Sequence, residues 1–252
     1  MRIAVLLAVA AFSAPAPRLA NPEGLALDAR GRILVADGSS GQLLRIDPRT
    51  RRITLLARGR GFAVDAAVAP DGTVYVLVNR ALFRLDGRKL VRLPAPGIGL
   101  PFAMVRLPDG DFVFADIEGS RIVRLHDGVA TPIGAGWRRP HGLALARDGS
   151  LLVADETGRI VRLGLDGTQT ALPRIAGALS LAEAPNGSIV VAETATNTVR
   201  RVLPGGKVRT LGSFVDPSDV VVAANGTIYV AEHDGVRVRA ISPRGRITTV
   251  AG

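Results

Sequence analysis

The chain contains no cysteine, few aromatic residues and almost no lysine. The absence of cysteine excludes disulfides, thiolate metal sites and thiol nucleophiles. Aromatic residues make up 4% of the sequence, too few for a series of stacking platforms, so a nucleic-acid partner is not expected. Lys89 and Lys207 are the only lysines among 32 basic residues, and arginine carries the formal charge of +10. Such arginine usage reflects genome composition as readily as an anionic partner.

What the sequence does contain is an internal repeat. A block of about 39 residues returns six times between positions 21 and 252. Each block has a turn glycine and, after its second hydrophobic run, an acidic residue, which only the second block replaces, with Val78. The glycines are Gly31, Gly72, Gly110, Gly149, Gly187 and Gly226, and the acids are Asp37, Asp116, Asp155, Glu193 and Glu232.

Each repeat has the pattern of a small antiparallel sheet. Four short runs rich in valine, isoleucine and leucine are separated by Asp-Gly, Asn-Gly, Gly-Gly or Pro-Arg turns, which is typical of a four-stranded meander. One such sheet cannot bury both of its faces alone. We therefore predict an all-β, six-bladed β-propeller with four antiparallel strands per blade. A solenoid is the alternative, disfavoured because neither end carries an atypical capping repeat.

The repeats predict a single domain over residues 21–252. Because they run without interruption, no strand is available for exchange between the first and last blades, and side-chain packing is expected to close the ring. The predicted blades cover about 21–59, 60–97, 98–136, 137–175, 176–214 and 215–252.

Residues 1–16 have the pattern of a secretory signal peptide. Arg2 supplies the basic start, residues 3–12 the apolar stretch and residues 14–16 a small-residue cleavage site. The apolar stretch is too short to span a bilayer, so no membrane span is predicted in the mature chain. The protein is expected to be secreted or periplasmic. The alternative is an N-terminal strand that helps to close the ring.

The repeat wording resembles that of the NHL-repeat propellers. Segments such as PEGLALDARGRILVAD, PHGLALARDGSLLVAD and ANGTIYVAE carry the resemblance, which covers residues 21–252. It extends to a broader six-bladed group that includes the gluconolactonases and the peptidyl-hydroxyglycine amidating lyases. The resemblance implies the fold, whereas these families divide into enzymes, binding domains and interaction modules.

Propellers of this group keep their sites at the mouth of the central channel. Counting back eight residues from each turn glycine gives one equivalent position per blade, occupied by Glu23, Val64, Phe102, His141, Leu179 and Ser218. The next position is occupied by Gly24, Asp65, Ala103, Gly142, Ser180 and Asp219. Four ionisable residues break the sixfold pattern. We predict catalytic or metal-binding roles for Glu23 and His141 and ligand-binding roles for Asp65 and Asp219; solvated loop ends, or one hydrogen-bonded pair, are the structural alternative.

The resemblance implies two kinds of metal site, and neither is complete. Gluconolactonase-like proteins hold a divalent cation with a Glu, an Asn and an Asp, whose positions here are Glu23, His141 and Leu179. The amidating lyases hold zinc with histidines on alternate blades, where this chain has Val64, His141 and Ser218. The candidate cofactor is therefore one divalent cation, calcium or zinc, held by Glu23 and His141.

A third related group, the virginiamycin B lyases, uses acid and histidine chemistry on an ester ring. Glu232 and His233 on the sixth blade invite that comparison. Glu232 is the repeated acid, however, and His233 follows it in a turn, so we expect His233 to be a surface residue.

Two further features are candidate binding elements. At one depth of the innermost strand, four blades carry apolar residues while the third and fifth carry Arg106 and Glu183, for which a salt bridge across the channel is expected. The functional alternative is that Arg106 contacts an anionic ligand.

The segment directly before His141 is the second candidate and consists of Trp137, Arg138 and Arg139. We predict that it binds a planar or anionic ligand, or else forms a linker between blades.

Six arginines recur once per repeat on the third strand, and their expected partner is the repeated acid on the preceding strand. They are Arg45, Arg84, Arg124, Arg162, Arg201 and Arg239.

Two functional hypotheses follow for this predicted monomer. The first is a scaffold that binds a small-molecule ligand or a protein partner at the channel mouth, which the incomplete metal sites favour. The second is a metal-assisted hydrolase or lyase acting on a lactone or a related carbonyl compound, which the asymmetric polar residues at the mouth favour.

Overall fold

The computed structural model describes residues 16–252, which form a six-bladed β-propeller. Six antiparallel sheets each contain four strands that are consecutive in the sequence and in space. The predicted fold is confirmed. Residues 1–15 of the predicted signal peptide lie outside the described part of the chain.

The strands of the first three blades come in chain order. The first blade contains β1 (Pro22–Leu27), β2 (Ile33–Asp37), β3 (Gln42–Ile46) and β4 (Ile53–Arg58). The second contains β5 (Ala63–Val68), β6 (Val74–Val78), β7 (Ala81–Asp86) and β8 (Lys89–Leu93). The third contains β9 (Pro101–Arg106), β10 (Phe112–Asp116), β11 (Arg121–His126) and β12 (Val129–Ile133).

The last three blades repeat this order. The fourth contains β13 (Pro140–Leu145), β14 (Leu151–Asp155), β15 (Ile160–Leu163) and β16 (Gln169–Leu172). The fifth contains β17 (Ala178–Glu183), β18 (Ile189–Glu193), β19 (Thr198–Val202) and β20 (Val208–Ser213). The sixth contains β21 (Pro217–Val222), β22 (Ile228–Glu232), β23 (Arg237–Ile241) and β24 (Ile247–Ala251).

The core lies between the blades. Side chains alternate across a strand, so each blade presents one apolar set to the preceding blade and another to the following one. In β2, Ile33 and Val35 pack toward the sixth blade, whereas Leu34 and Ala36 pack toward the second. Six such clusters fill the six interfaces between blades. This two-sided burial explains why the second strands are continuous hydrophobic runs.

Packing between the first and last blades closes the ring, as expected. Leu25, Val35 and Leu44 of the first blade share a buried cluster with Val238 and Val250 of the sixth. Within residues 16–252, all four strands of the sixth blade come from its own repeat, and no strand is exchanged. A closed ring excludes the solenoid. No helix in residues 16–252 is long and apolar enough to cross a membrane.

The repeated acids hold the segments that enter the blades. Asp37 accepts hydrogen bonds from the amides of Ala20 (3.1 Å) and Asn21 (2.7 Å), and Glu232 accepts one from Val215 (2.7 Å). The expected pairing with the recurring arginines was wrong: within residues 16–252, only Arg239 comes within 4.0 Å of its acid, at 3.8 Å from Glu232. Backbone amides and nearer side chains already occupy the carboxylate oxygens.

Candidate active site

Every blade carries a β-bulge at the start of its innermost strand. In the first blade, Pro22 pairs with Asp37 and Gly24 pairs with Ala36, which leaves Glu23 without a cross-strand partner. The same interruption recurs in the other five blades. A bulge re-aims the extra residue, and here it turns one side chain per blade toward the channel. The six are Glu23, Val64, Phe102, His141, Leu179 and Ser218.

Glu23 forms an acid–imidazole pair with His233. Glu23 Oε1 lies 2.6 Å from His233 Nδ1, and the side chains are 10% and 28% exposed. Burial raises the pKa of Glu23 to about 7, although the contact with His233 lowers it in part. The carboxylates of Asp216 and Asp219 raise it further. A carboxyl group that exchanges its proton near neutral pH therefore lies at the lip of a channel cavity of about 380 Å³.

His233 is a turn residue, as expected, but its side chain is only 28% exposed and contacts Glu23, which the sequence did not predict. His233 follows β22, and the end of β22 pairs with the start of β21, where Pro217 faces Glu232. This antiparallel pairing brings the turn to the same edge as the mouth positions, beside Glu23 of the next blade in the ring. A sequence signal was present, because any residue directly after the second strand lies at this edge.

His233 also belongs to a group of possible metal ligands. Within residues 16–252, Asp216, His233 and Asp234 form a group of three whose ligand atoms lie within 4.8 Å of one another. The two metal sites implied by resemblance do not fit: Leu179 and Val64 have no side-chain donor atom, and Ser218 Oγ donates to the carbonyl of Pro22 (2.9 Å).

His141 lies on the opposite wall, because the first and fourth blades face each other in a ring of six. Glu23 and His141 are therefore not brought together. The Phe102 ring meets the His141 ring edge-on, with centroids 5.1 Å apart. Burial lowers the pKa of His141, and the charge of Arg139 lowers it further, so the site favours the neutral imidazole.

Asp65 and Asp219 lie one position deeper and bind backbone amides. Asp65 accepts from Ala66 and Met104, both at 2.7 Å. Asp219 accepts from Val220 (2.7 Å) and Leu25 (2.5 Å), and Ser180 Oγ also donates to it. Burial raises the pKa of Asp219 to about 6. Burial also raises the pKa of Asp65, with a further contribution from the charge of Asp219.

Arg106 and Glu183 lie at the far end of the innermost strands, and the expected salt bridge between them was wrong. Glu183 instead pairs with Arg162 of the fourth blade at 2.8 Å and accepts from the amide of Arg147 at 2.7 Å. The Arg106 guanidinium stacks over the ring of Phe112, with its Cζ 4.4 Å from the centroid. Within residues 16–252, no carboxylate lies within 4.0 Å of Arg106, so its role toward an anionic ligand stays a prediction.

The segment before His141 divides between core and rim. Trp137 is buried between the third and fourth blades, and its Nε1 donates to the carbonyl of Ile133 (3.2 Å). Arg138 and Arg139 are exposed and reach Glu156, at 3.7 and 3.4 Å. Trp137 therefore acts as the predicted linker between blades, whereas the two arginines lie on the rim of the channel mouth.

The chain is similar to virginiamycin B lyases and to a gluconolactonase. No protein-family model matches the chain. A virginiamycin B lyase of Nocardia farcinica (strain IFM 10152) is 34% identical over 117 residues, or 46% of this chain and 41% of that protein. The match thus spans less than half the length of that lyase.

Solved structures show the same architecture over most of the chain. Virginiamycin B lyase from Staphylococcus aureus is 18% identical, with 92% of this chain and 84% of that chain covered and a TM-score of 0.68. A gluconolactonase from Xanthomonas campestris is 16% identical, with 93% and 88% covered and a TM-score of 0.76. A catalytically inactive variant of the staphylococcal lyase, with a histidine replaced by alanine, has been solved with quinupristin. At these identities the likeness shows the six-bladed fold alone.

Proposed function

We propose that the protein is a lyase that opens an ester ring at the channel mouth, with Glu23 as the acid–base group and His233 as its proton partner. The observation that carries this proposal is the 2.6 Å contact between Glu23 and His233 beside the channel cavity. A carboxyl pKa of about 7 suits proton abstraction near neutral pH.

The proposed reaction is an elimination that consumes no cofactor. Glu23 takes a proton from the carbon adjacent to the alkyl carbon of the ester. The electrons of that C–H bond form a C=C bond, the alkyl C–O bond breaks, and its electron pair leaves on the carboxylate. The proton moves from Glu23 to His233 through their contact and then to solvent. The opened product has the mass of the substrate.

The named relatives support this reaction class over the binding scaffold. Solved structures of lyases and of a gluconolactonase share the fold, and the proposal takes from them an activity on an ester ring. The inactive staphylococcal variant shows that a histidine matters in that enzyme. Elimination is favoured over metal-assisted hydrolysis because Leu179 stands where the gluconolactonases have an aspartate ligand.

The opposite wall of the mouth is proposed to hold the substrate. Phe102 and His141 supply an aromatic edge, and the neutral imidazole of His141 is able to donate or accept a hydrogen bond. Arg138 and Arg139 add exposed positive charge at the rim. This surface would equally serve the scaffold hypothesis, in which a ligand or a protein binds without turnover.

The function is tested with the full chain, a panel of cyclic esters that includes quinupristin and δ-gluconolactone, and mass spectrometry of the products. Elimination leaves the mass unchanged and adds a C=C bond, whereas hydrolysis adds one water. We expect Glu23→Gln to lower kcat/KM at least about 100-fold and His233→Asn to lower it as well, because both disrupt proton exchange. His126→Asn is the control, since His126 is exposed at the end of β11, pairs with Asp111 and does not line the channel cavity.

Three results would contradict the proposal. Turnover that is unaffected by Glu23→Gln would remove Glu23 from the reaction. Binding without ring opening would support the scaffold. One equivalent of divalent metal, lost in Glu23→Gln or His141→Ala together with hydrolytic turnover, would support a lactonase with calcium or zinc.

The remaining sequence-based expectations stay part of the proposal. We propose export to the periplasm or the exterior on the pattern of residues 1–16, and a monomer that presents one channel mouth to a small-molecule ligand. An NHL-like repeat is proposed on the wording of the six blocks.

A further inference from the structure

One backbone amide per blade faces the channel just below the mouth. Bonded and non-bonded pairs alternate along an antiparallel ladder. In the fourth blade, the bond from the Ala146 amide to the Ser150 carbonyl (2.8 Å) makes Leu143–Val153 a non-bonded pair, so the Leu143 N–H points away from β14. The same alternation of bonded and non-bonded pairs in the other five blades places one amide of each in the channel. The six belong to Leu25, Ala66, Met104, Leu143, Leu181 and Val220.

Two aspartates bind four of these six amides. Asp65 of the second blade bridges the amides of Ala66 and Met104, and Asp219 of the sixth bridges those of Val220 and Leu25. In each case, one carboxyl group spans an amide of its own blade and one of the next blade. The bridging residues come from alternate blades.

The third bridge is missing. The fourth blade carries Gly142 at the position of Asp65 and Asp219, so no carboxylate reaches the amides of Leu143 and Leu181. Within residues 16–252, no side chain accepts a hydrogen bond from either amide. Both residues line the channel cavity, as do Gly142 and Ser180.

We propose that the amides of Leu143 and Leu181 bind the acyl oxygens of the substrate's ester group. The ester then occupies the place that an aspartate carboxyl group occupies in the second and sixth blades, with the same two-oxygen shape. This inference rests on the proposed ring opening. It adds the two amides that stabilise the negative charge on the leaving carboxylate.

The chemistry matches the needs of the reaction. When the alkyl C–O bond breaks, its electron pair is shared between the two acyl oxygens of the leaving carboxylate. Preorganised amide donors aimed at such developing charge stabilise the transition state, and loss of one donor typically costs about 100-fold or more in rate. The fold supplies these donors by leaving two amides without the partner that their equivalents have.

The test combines amide spectra with two substitutions at one position. In 1H–15N spectra of the wild-type chain, γ-butyrolactone is the probe, and we expect the amide resonances of Leu143 and Leu181 to shift downfield on its addition. Gly142→Asp supplies the missing carboxyl group and should abolish this response. Gly142→Ala is the control, because it adds the same Cβ, 3.0 Å from the Leu179 carbonyl, without the carboxyl group.

On a cyclic ester that the wild type opens, we expect kcat/KM of Gly142→Asp to be about 100-fold or more below that of Gly142→Ala. Equal rates in the two variants, or wild-type lactone binding that moves other mouth resonances but neither amide, would overturn the inference and leave the proposed lyase intact. Lactone-dependent shifts of both amides without any ring opening would support the site and contradict the proposed reaction. The wild-type titration decides the matter even if Gly142→Asp does not fold.

Discussion

Glu23 is a carboxyl group that the fold withdraws from water. It lies in a bulge, contacts His233 and is near the negative charges of Asp216 and Asp219. Burial is the largest influence on its pKa and outweighs the contact with His233. The protonated form is therefore favoured in the folded protein more strongly than in the unfolded chain.

This difference makes stability depend on pH. The pKa of Glu23 rises from 4.5 to about 7 on folding, so its contribution is fully present below pH 4.5 and is lost as pH rises through 7. We expect the free energy of unfolding of the wild type to fall between pH 5 and pH 8 relative to Glu23→Gln, by on the order of 2 kcal/mol. Urea unfolding across this range measures the difference.

Asp219, His126 and His141 are present in both proteins, so the comparison reports the removal of Glu23 together with its contact to His233. Parallel stability profiles of the two proteins would show that Glu23 has an ordinary pKa in the folded state.

At the residue scale, the sequence predicts positions better than partners. Counting from the turn glycines identified Glu23 and His141 at the mouth, because the repeat conserves spacing. The Glu23–His233 contact was missed because it joins the first blade to the last. The Arg106–Glu183 salt bridge failed because Arg162, on the neighbouring blade, reaches Glu183 first.

The innermost strand is the element that determines the geometry of the mouth. Its bulge exposes one side chain, and its unpaired edge exposes amides to the channel. The apolar run in the sequence indicates this strand, but no residue type is characteristic of the bulge position. The residues at the six bulges range from glutamate to leucine, so only the register reveals it.

Close packing of the innermost strands predicts different costs for the same substitution. A Cβ on Gly24 lies 2.6 Å from the Val64 carbonyl and the Asp65 Cα, whereas one on Gly142 lies 3.0 Å from its nearest atom. Backbone must move in the first case. We expect Gly24→Ala to destabilise the protein by about 1–3 kcal/mol and Gly142→Ala by less, in urea unfolding. Equal losses would contradict the close approach of the first two blades.

The closed ring depends on the interface between the first and last blades, which side-chain packing alone holds together within residues 16–252. The first and last blades meet through Leu25, Val35, Val238 and Val250, without a shared sheet. The sequence predicted closure by side-chain packing, because six complete repeats of four strands leave no strand to exchange between these blades. The residues that recur in every repeat serve packing between blades, so they do not indicate which ligand the protein binds.

Removal of the last strand tests this closure. Deletion of residues 247–252 takes away β24, including the buried Val250 and Ala251 of the closing cluster. We expect the loss of this burial to cost about 3 kcal/mol or more and to lower the melting temperature in calorimetry. Deletion of the exposed Gly252 alone is the control. An unchanged melting temperature for the longer deletion would place the blade boundaries elsewhere.

The bulges also bear on how such a protein changes its chemistry over generations. A residue without a cross-strand partner is exchanged without altering strand register or the buried face of a blade. Folding therefore imposes few constraints on the six mouth positions, while the repeats around them conserve the ring. Mutational variation concentrated at these positions would change what the channel mouth binds, which makes them a compact set for directed evolution of new specificities.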